Sequence, residues 1–230
     1  MTILTAASSA MARLVGRRPA AVVSSTNEME VELTSLAMEA AVDIAKSNDW
    51  QELTTLYTIV GTGAESYAMP ADYDRMVQAM GVSSPSWPDW WFSQVSSLDE
   101  WQMIKTRGFN LEPGWWMLLG GMFQTLPMLT SGDTANFYYI SNKIFLADNG
   151  TSKSEITQDS DKFRLDERLL TLALIWRWKA LKGLDYAEDM RNYDIALDQA
   201  QARDKGSRVM RRNGSTSFRG TVPAWPWELG

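Results

Sequence analysis

Carboxylates are the residues of this chain best suited to acid–base chemistry, because it contains no histidine and no cysteine. The lack of both excludes Ser-His and Cys-His nucleophile systems and nearly every zinc site. Two carboxylates facing each other across a cleft could hydrolyse a glycosidic bond. Their spacing here places no two across a cleft, so we predict turn and surface positions for all of them. The candidates are Asp72, Asp74, Asp99, Glu100, Asp133 and Asp148.

Loops that could hold a metal or a phosphate are equally poor matches. Residues 148–155 lack the alternating acidic ligands and the central glycine spacing of a calcium loop. The glycines within 61–63 and 120–121 do not join a strand to a helix with the spacing of a phosphate-binding loop. We therefore expect no catalytic residue, no metal and no cofactor, and a protein that is not an enzyme.

Tryptophan is the most unusual feature of the composition, with 11 in 230 residues. Exposed indole rings could stack on sugars, which would indicate a carbohydrate-binding module. Aromatic residues are also enriched at subunit interfaces, and they equally form the cores of small β domains. Neighbouring strand residues point to opposite faces, so one of each adjacent pair leaves the local core. These interpretations stay open for Trp87, Trp90, Trp91, Trp101, Trp115 and Trp116.

The elements that must position these residues are organised around residues 165–203. Apolar residues cover more than half the circumference of a first helix, which predicts packing on several sides. Gly183 can act as its left-handed C-terminal cap, and Asp185 with Glu188 has capping-box spacing for a second helix. The second helix has an apolar stripe made of Tyr186, Met190, Tyr193, Leu197 and Ala200. We predict a helical hairpin whose core or subunit interface includes Trp176, Trp178, Tyr186 and Tyr193.

The rest of the chain divides into helices and a β-rich region. Residues 2–15 predict a short helix, and Asn27 with Glu30 predicts a second one that runs to about Ser47. Short β-branched segments between turn residues then indicate a small antiparallel β-sandwich or barrel, with a helical insert near 97–104. The predicted class is α+β, a helical bundle with an inserted β domain and an extended C-terminal arm. The predicted domains are 1–52 (N-terminal helices), 53–150 (inserted β domain), 151–206 (helical hairpin) and 207–230 (arm).

The predicted arm is basic, whereas the rest of the chain is acidic. Residues 201–230 carry a net charge of +4 and the remainder −10, within a total of −6. An acidic body argues against wrapping nucleic acid, and a basic arm indicates docking on an acidic partner. Trp and Arg dominate binding hot spots, although a tail folded back on its own domain remains an alternative. The candidate binding residues are Arg208, Arg211, Arg212, Phe218, Arg219, Trp225 and Trp227.

The segment WRWKALKGLDYAEDMRNYDIALDQAQARDKG, residues 176–206, resembles the C-terminal helices of head-to-tail adaptor proteins of tailed bacteriophages. These are also called head-completion or connector proteins. The resemblance extends to ESYAMPADYDRM at 65–76 and to SLDEWQ at 97–102. The stretch Trp87–Phe92 and the pair Trp115–Trp116 are richer in aromatics than the family pattern, and the arm after Arg212 matches no family motif.

The resemblance implies a structural virion protein of the head–tail neck, made in the bacterial cytoplasm of the host. Such adaptors form rings, usually dodecamers, that join the portal vertex to the tail and continue the DNA channel. The implied partners are further copies of the chain, the portal protein, which the arm would bind, and a downstream tail or nozzle protein. The genome would pass without sequence-specific binding. No run of about 18 apolar residues occurs, so no membrane span is expected.

Overall fold

The fold has two compact units, each built from separate stretches of the chain. The computed structural model describes residues 2–78, 81–108 and 114–204, without the side chains of 87–90. Within that part, the first unit comprises 2–57, 69–78 and 137–204, and the second comprises 58–68, 81–108 and 114–136.

In the described part of the chain, two helices come first, then strands interrupted by one helix, and then two more helices. The helices are α1 (Ile3–Val15), α2 (Glu28–Lys46), α3 (Leu98–Arg107), α4 (Glu167–Leu181) and α5 (Ala187–Asp204). The strands are β1 (Thr54–Val60), β2 (Ser66–Ala68), β3 (Tyr73–Met76), β4 (Val82–Ser84), β5 (Trp87–Gln94), β6 (Trp115–Leu119), β7 (Met122–Leu126), β8 (Thr134–Ser141), β9 (Phe145–Leu146), β10 (Ser152–Lys153) and β11 (Lys162–Phe163). The predicted α+β class is confirmed.

Helix α4 lies at the centre of the first unit and packs against α1, α2 and α5. Its buried residues join the small residues of α1 and α2 in one core, where Ala10, Ala40 and Ala173 have no exposed surface. Small residues let the helix backbones approach closely, while Leu169 and Leu170 fill the space between them. This packing explains why α4 is apolar around more than half its circumference.

The helix ends follow local signals, with one difference from the sequence prediction. The Asn27 side chain accepts a hydrogen bond from the Met29 N–H at 3.1 Å and so caps α2. Glu30 does not complete a capping box, because its buried carboxylate forms an ion pair with Arg17. The Asn27 N–H instead donates to Ser25 Oγ at 3.1 Å.

The turn between α4 and α5 depends on a left-handed glycine. Gly183 has φ of 68°. The Leu184 N–H therefore reaches back to the Lys179 carbonyl at 2.9 Å, which satisfies a carbonyl at the end of α4. Asp185 Oδ1 accepts from the Ala187 N–H at 3.2 Å and caps the start of α5.

The sheet of the second unit corrects one prediction. Its hydrogen-bonded neighbours run in the order β8, β4, β5, β6, β7 and β2. The pair β5–β6 is parallel, whereas the sequence predicted an all-antiparallel sandwich or barrel. Parallel neighbours need a crossover connection, and α3, together with its flanking segments, joins these two strands.

In the first unit, β3 pairs with the end of β8, and β9 lies between β10 and β11 in a small antiparallel sheet. Strand β1 is the other hydrogen-bonded neighbour of β8. Phe145 and Phe163 of the small sheet add their rings to the helical core, with centroids 5.9 Å apart. The small sheet thus closes one side of that core.

Candidate interaction surface

An aromatic cluster joins α4 to α5 within the first unit. The Trp176 ring lies between two tyrosines, with centroids 6.3 Å from Tyr186 and 6.1 Å from Tyr193. Tyr193 is buried, and burial raises the pKa of its phenol. Trp176 is half-buried and Tyr186 exposed. The cluster therefore has a buried base and an exposed end.

Arg177 ties this cluster to α2. Its guanidinium lies 5.0 Å from the centroid of the Trp176 ring, a cation–π distance. The same group donates to Glu39 Oε1 at 2.8 Å and to Asp43 Oδ2 at 2.6 Å. Both carboxylates are largely exposed, so we expect each ion pair to add at most about 1 kcal/mol to stability.

A second cation at the end of α4 repeats this arrangement. Lys182 Nζ forms an ion pair with Glu32 Oε1 at 2.6 Å and lies 5.9 Å from the centroid of the half-buried Trp178 ring. Lys179 pairs with Asp189 of α5. The cations of the second half of α4 are therefore matched by acids of α2 and α5.

The two helices extend beyond the core and expose apolar side chains at their joined end. The buried positions of α4 end at Ile175 and those of α5 begin at Tyr193, and every residue between them is at least partly exposed. We call residues 181–190 the helical tip. Large apolar side chains are exposed there at 40–57%, namely those of Leu181, Leu184, Tyr186 and Met190.

The sequence analysis placed Tyr186 and Met190 in one apolar stripe and assigned Tyr186 to the helical core or a subunit interface; the structure shows both side chains exposed, outside the core. Their spacing is that of an apolar face, but the core ends before the face does. Clustered exposed apolar side chains in a soluble protein commonly mark a protein–protein contact. The sequence analysis missed Leu184, because it lies in the turn between the helices and therefore belongs to neither helical repeat.

A cleft of about 270 Å³ lies among α1, α4 and α5. We call it the arginine cleft, because Arg13 and Arg168 line it together with Leu172 and Ile195. Neither guanidinium forms an ion pair with any residue in the described part of the chain. The cleft thus presents free positive charge beside apolar side chains.

Three of the four tryptophans of the second unit whose side chains the structure describes are buried or half-buried. Trp101 and Trp116 are buried. Trp116 stacks on Phe123 with centroids 5.6 Å apart, whereas Trp115 is half-buried against the cluster that contains Trp101. Trp91 is 51% exposed. The side chains of Trp87 and Trp90 lie outside the described residues.

The six carboxylates considered for catalysis have separate local roles. Asp72 accepts from Tyr139 Oη at 2.8 Å and from Ser141 Oγ at 2.7 Å. Burial would raise the pKa of Asp72, but these hydrogen bonds outweigh it and lower the pKa. Hydrogen bonds from Thr130 and Ser86 likewise lower the pKa of Asp133. Asp74 forms an ion pair with Arg75. Asp99 and Glu100 lie in the first turn of α3. Asp148 is exposed near Lys162.

Groups that would hold a metal are not found in the part of the chain that the structure describes. No helix in that part is long and apolar enough to cross a membrane. The predicted arm residues Arg208, Arg211, Arg212, Phe218, Arg219, Trp225 and Trp227 lie outside the described residues. Within the described residues, the candidate surfaces are the helical tip, with the aromatic cluster beneath it, and the arginine cleft.

Such a surface is suited to contacts between proteins. The chain belongs to the SU10 adaptor protein family, whose model matches residues 1–222. The predicted membership of a phage head-to-tail adaptor family is thereby confirmed, and a structural role follows from it. A search of curated proteins gives no match.

Proposed function

We propose that this protein is a ring-forming adaptor that joins the portal vertex of a phage head to its tail and continues the DNA channel. The observation that carries the proposal is the helical tip, whose exposed apolar side chains would be buried in an assembly. Family membership supports the adaptor role. The ring is a dodecamer at the virion neck, assembled from subunits made in the host cytoplasm.

A closed ring needs two different faces on each subunit, because its contacts are heterologous. We assign the helical tip to one face. The tip also carries Asp185 and Glu188, which form no ion pair within the described residues. The arginine cleft is complementary to these acids, so Arg13 and Arg168 of the next copy form the second face.

Charge reversal tests this pairing directly. The variant Arg13→Glu/Arg168→Glu and the variant Asp185→Lys/Glu188→Lys should each fail to form rings alone. An equimolar mixture should again form rings on portal, with the two variants alternating, because the native tip of the first variant matches the native cleft of the second and the two reversed faces match each other. A mixture that stays monomeric would contradict the pairing while leaving ring formation by other faces open.

The charge of the chain fits a channel for DNA. The chain outside residues 201–230 carries a net charge of −10. On α5, Asp194 and Asp198 lie outside the tip and are both exposed. An acidic lumen repels phosphates and lets the genome slide without sequence-specific binding.

The arm is the portal-binding element of this proposal. Its support is composition, since basic residues and aromatic anchors combine in residues 207–230. The binding residues would be Arg208, Arg211, Arg212, Phe218, Arg219, Trp225 and Trp227. Twelve arms on one ring would add avidity to a weak single contact. A variant truncated after Asp204 that still binds portal with unchanged affinity would exclude this role.

We also propose the domain organisation that this role requires. The helices of 1–52 and the helical hairpin of 151–206 form a bundle, and residues 53–150 are an inserted β domain. The inserted domain contacts the downstream tail or nozzle protein. Residues 207–230 form the arm. Limited proteolysis followed by mass spectrometry would test these boundaries, with cleavage expected first after residue 206.

The mass of the purified protein by light scattering, with and without portal, tests the function. We expect a subunit of 25.9 kDa to assemble into a ring on portal. A protein whose mass stays that of a monomer when portal is added, and whose tryptophan emission shifts with added oligosaccharide, would overturn the proposal in favour of a carbohydrate-binding module.

A further inference from the structure

A second cleft, of about 240 Å³, opens in the first unit between α2 and the end of β8. We call it the Arg75 cleft. Ile140 and Ile144 of its lining are buried, while Met38 and Val42 are half-buried. Arg75, Asp74, Lys46 and Glu155 supply its charged groups. Its volume, and an apolar wall bordered by charged groups, suit one large aromatic side chain with a polar edge.

The guanidinium of Arg75 is held rigidly at this cleft. It donates to Asp49 Oδ1 at 3.2 Å and to Asp74 Oδ2 at 2.7 Å. It also donates to the carbonyls of Ala45 at 3.2 Å and Asn48 at 2.7 Å. A planar cation fixed in this way is well placed for stacking on an aromatic ring, because little side-chain entropy remains to be lost.

The described chain ends at the C-terminal end of α2, whose last residue, Lys46, lines this cleft. Asp204 Oδ2 accepts from the Gln51 N–H at 3.1 Å, and Gln201 Nε2 donates to the Ser47 carbonyl at 3.3 Å. Ser47 directly follows Lys46, which lines the cleft. The segment from 205 to 230 therefore starts next to the end of α2. Trp225 follows Asp204 by enough chain to span roughly 70 Å when extended, so reach does not limit contact with the cleft.

Electrostatics distinguishes this cleft from the arginine cleft. The segment 205–230 carries a net charge of +4. The unpaired Arg13 and Arg168 would repel it at the arginine cleft. At the Arg75 cleft the guanidinium is already matched by Asp49 and Asp74. Lys46 and Glu155, which form no ion pair in the described part of the chain, balance each other, so this cleft carries no excess positive charge.

We propose that the Arg75 cleft binds the Trp225-Pro226-Trp227 segment of the same chain in the free protein. Tryptophan offers the largest apolar surface, and Pro226 reduces the conformational entropy lost on docking. This inference goes beyond the proposed function: it concerns the protein without portal, and it holds whether or not the arm later binds portal.

Disulfide trapping tests this docking cleanly, because the chain contains no cysteine. The test variant Lys46→Cys/Ala224→Cys places one thiol on the rim and one beside the intact tryptophans. The matched control Val31→Cys/Ala224→Cys uses an exposed position on the same helix, about 22 Å away along its axis. We expect an intrachain disulfide to form at least about tenfold faster in the test variant, because docking raises the effective thiol concentration.

Replacing both Trp225 and Trp227 by alanine in the test variant should reduce its rate to that of the control. Equal rates in the test and control variants would overturn the proposal. So would a disulfide between two chains, detected as a doubled mass, because it would assign the cleft to a neighbouring copy. No sample in this experiment contains portal, so failure of this docking and failure of the portal-binding role remain distinguishable.

Discussion

Lys153 Nζ lies 2.6 Å from each carboxylate oxygen of Asp161, whose side chain is completely buried. The same carboxylate accepts backbone N–H groups from Thr157 at 2.8 Å and Gln158 at 2.9 Å. The Asp161 carbonyl in turn accepts from the Ile3 N–H at 2.7 Å. Asp161 therefore holds the loop before α4 in place through its side chain and connects that loop to the first turn of α1 through its carbonyl.

Replacing Asp161 by asparagine should destabilise the first unit by about 3 kcal/mol. Asparagine removes the charge that pairs with Lys153 while leaving the buried backbone donors in place, and broken buried ion pairs cost this much. Urea denaturation followed by circular dichroism measures the change. Asp148→Asn serves as a control, because that exposed carboxylate lies 3.7 Å from Lys162 and should contribute less than about 0.5 kcal/mol.

The contribution of Asp161 should also depend on pH. Burial would raise the pKa of Asp161, but the Lys153 ion pair and the backbone hydrogen bonds outweigh it and lower the pKa. A folded pKa below the unfolded value of 3.8 means that this stabilisation is present above pH 4. It is lost as the pH falls through the folded pKa. The difference in unfolding free energy between wild type and Asp161→Asn should therefore shrink below pH 4; a constant difference would contradict this account.

Local signals in the sequence predicted the helices well. Asn27 as a cap and Gly183 as a left-handed stop act through neighbouring residues, so their effect is visible in a short window. The Asp161 network was missed because its partners come from a polar loop without periodicity. The parallel pair of β5 and β6 was missed because pairing direction depends on where α3 returns the chain.

The candidate surface was only partly predictable for a similar reason. Helical periodicity shows which residues share a face, but it does not show where the core beneath that face ends. Tyr186 and Tyr193 belong to one stripe, yet the first is exposed and the second buried. The arginine cleft brings Arg13 together with Arg168, and no pattern in the sequence links residues so far apart.

Tyr139→Phe tests the hydrogen bond from a strand to the turn before β3. Burial, followed by the interaction with Asp72, raises the pKa of Tyr139 to about 12. The variant should lose about 1–2 kcal/mol, because Asp72 keeps only the Ser141 hydroxyl as a side-chain donor. A raised pKa gives stability that is present below pH 10 and lost as the pH rises towards 12.

Spectrophotometric titration at alkaline pH provides the measurement for Tyr139. The wild type should show one phenol that ionises near pH 12, and Tyr139→Phe should lack it. Tyr138→Phe is the control, because that exposed neighbour on the same strand makes no contact with Asp72. If both variants titrate alike, the assignment of the high pKa to Tyr139 is wrong.

Gly183→Ala should destabilise the joined end of α4 and α5 by about 1 kcal/mol. A Cβ at Gly183 would meet no atom within 4 Å, so the cost comes from the backbone conformation alone. Thermal unfolding measures the shift in midpoint. Gly183→Asn should cost less, since asparagine tolerates the left-handed region better than alanine; an equal or larger loss would indicate a steric cause instead.

Substituting the helical tip should separate assembly from folding. Leu184→Lys and Met190→Lys each place a charge on a side chain that is already exposed, so the unfolding free energy should change by less than about 0.5 kcal/mol. In a ring that buries the tip against Arg13 and Arg168 of the next copy, either cation would lose its hydration and face like charges, and assembly on portal should fall at least about tenfold. Val31→Lys is the matched control, because Val31 is equally exposed on α2 but lies outside the tip. Light scattering measures assembly and urea denaturation measures folding for all three variants. If the tip variants assemble as well as the control does, the ring contact lies elsewhere on the subunit.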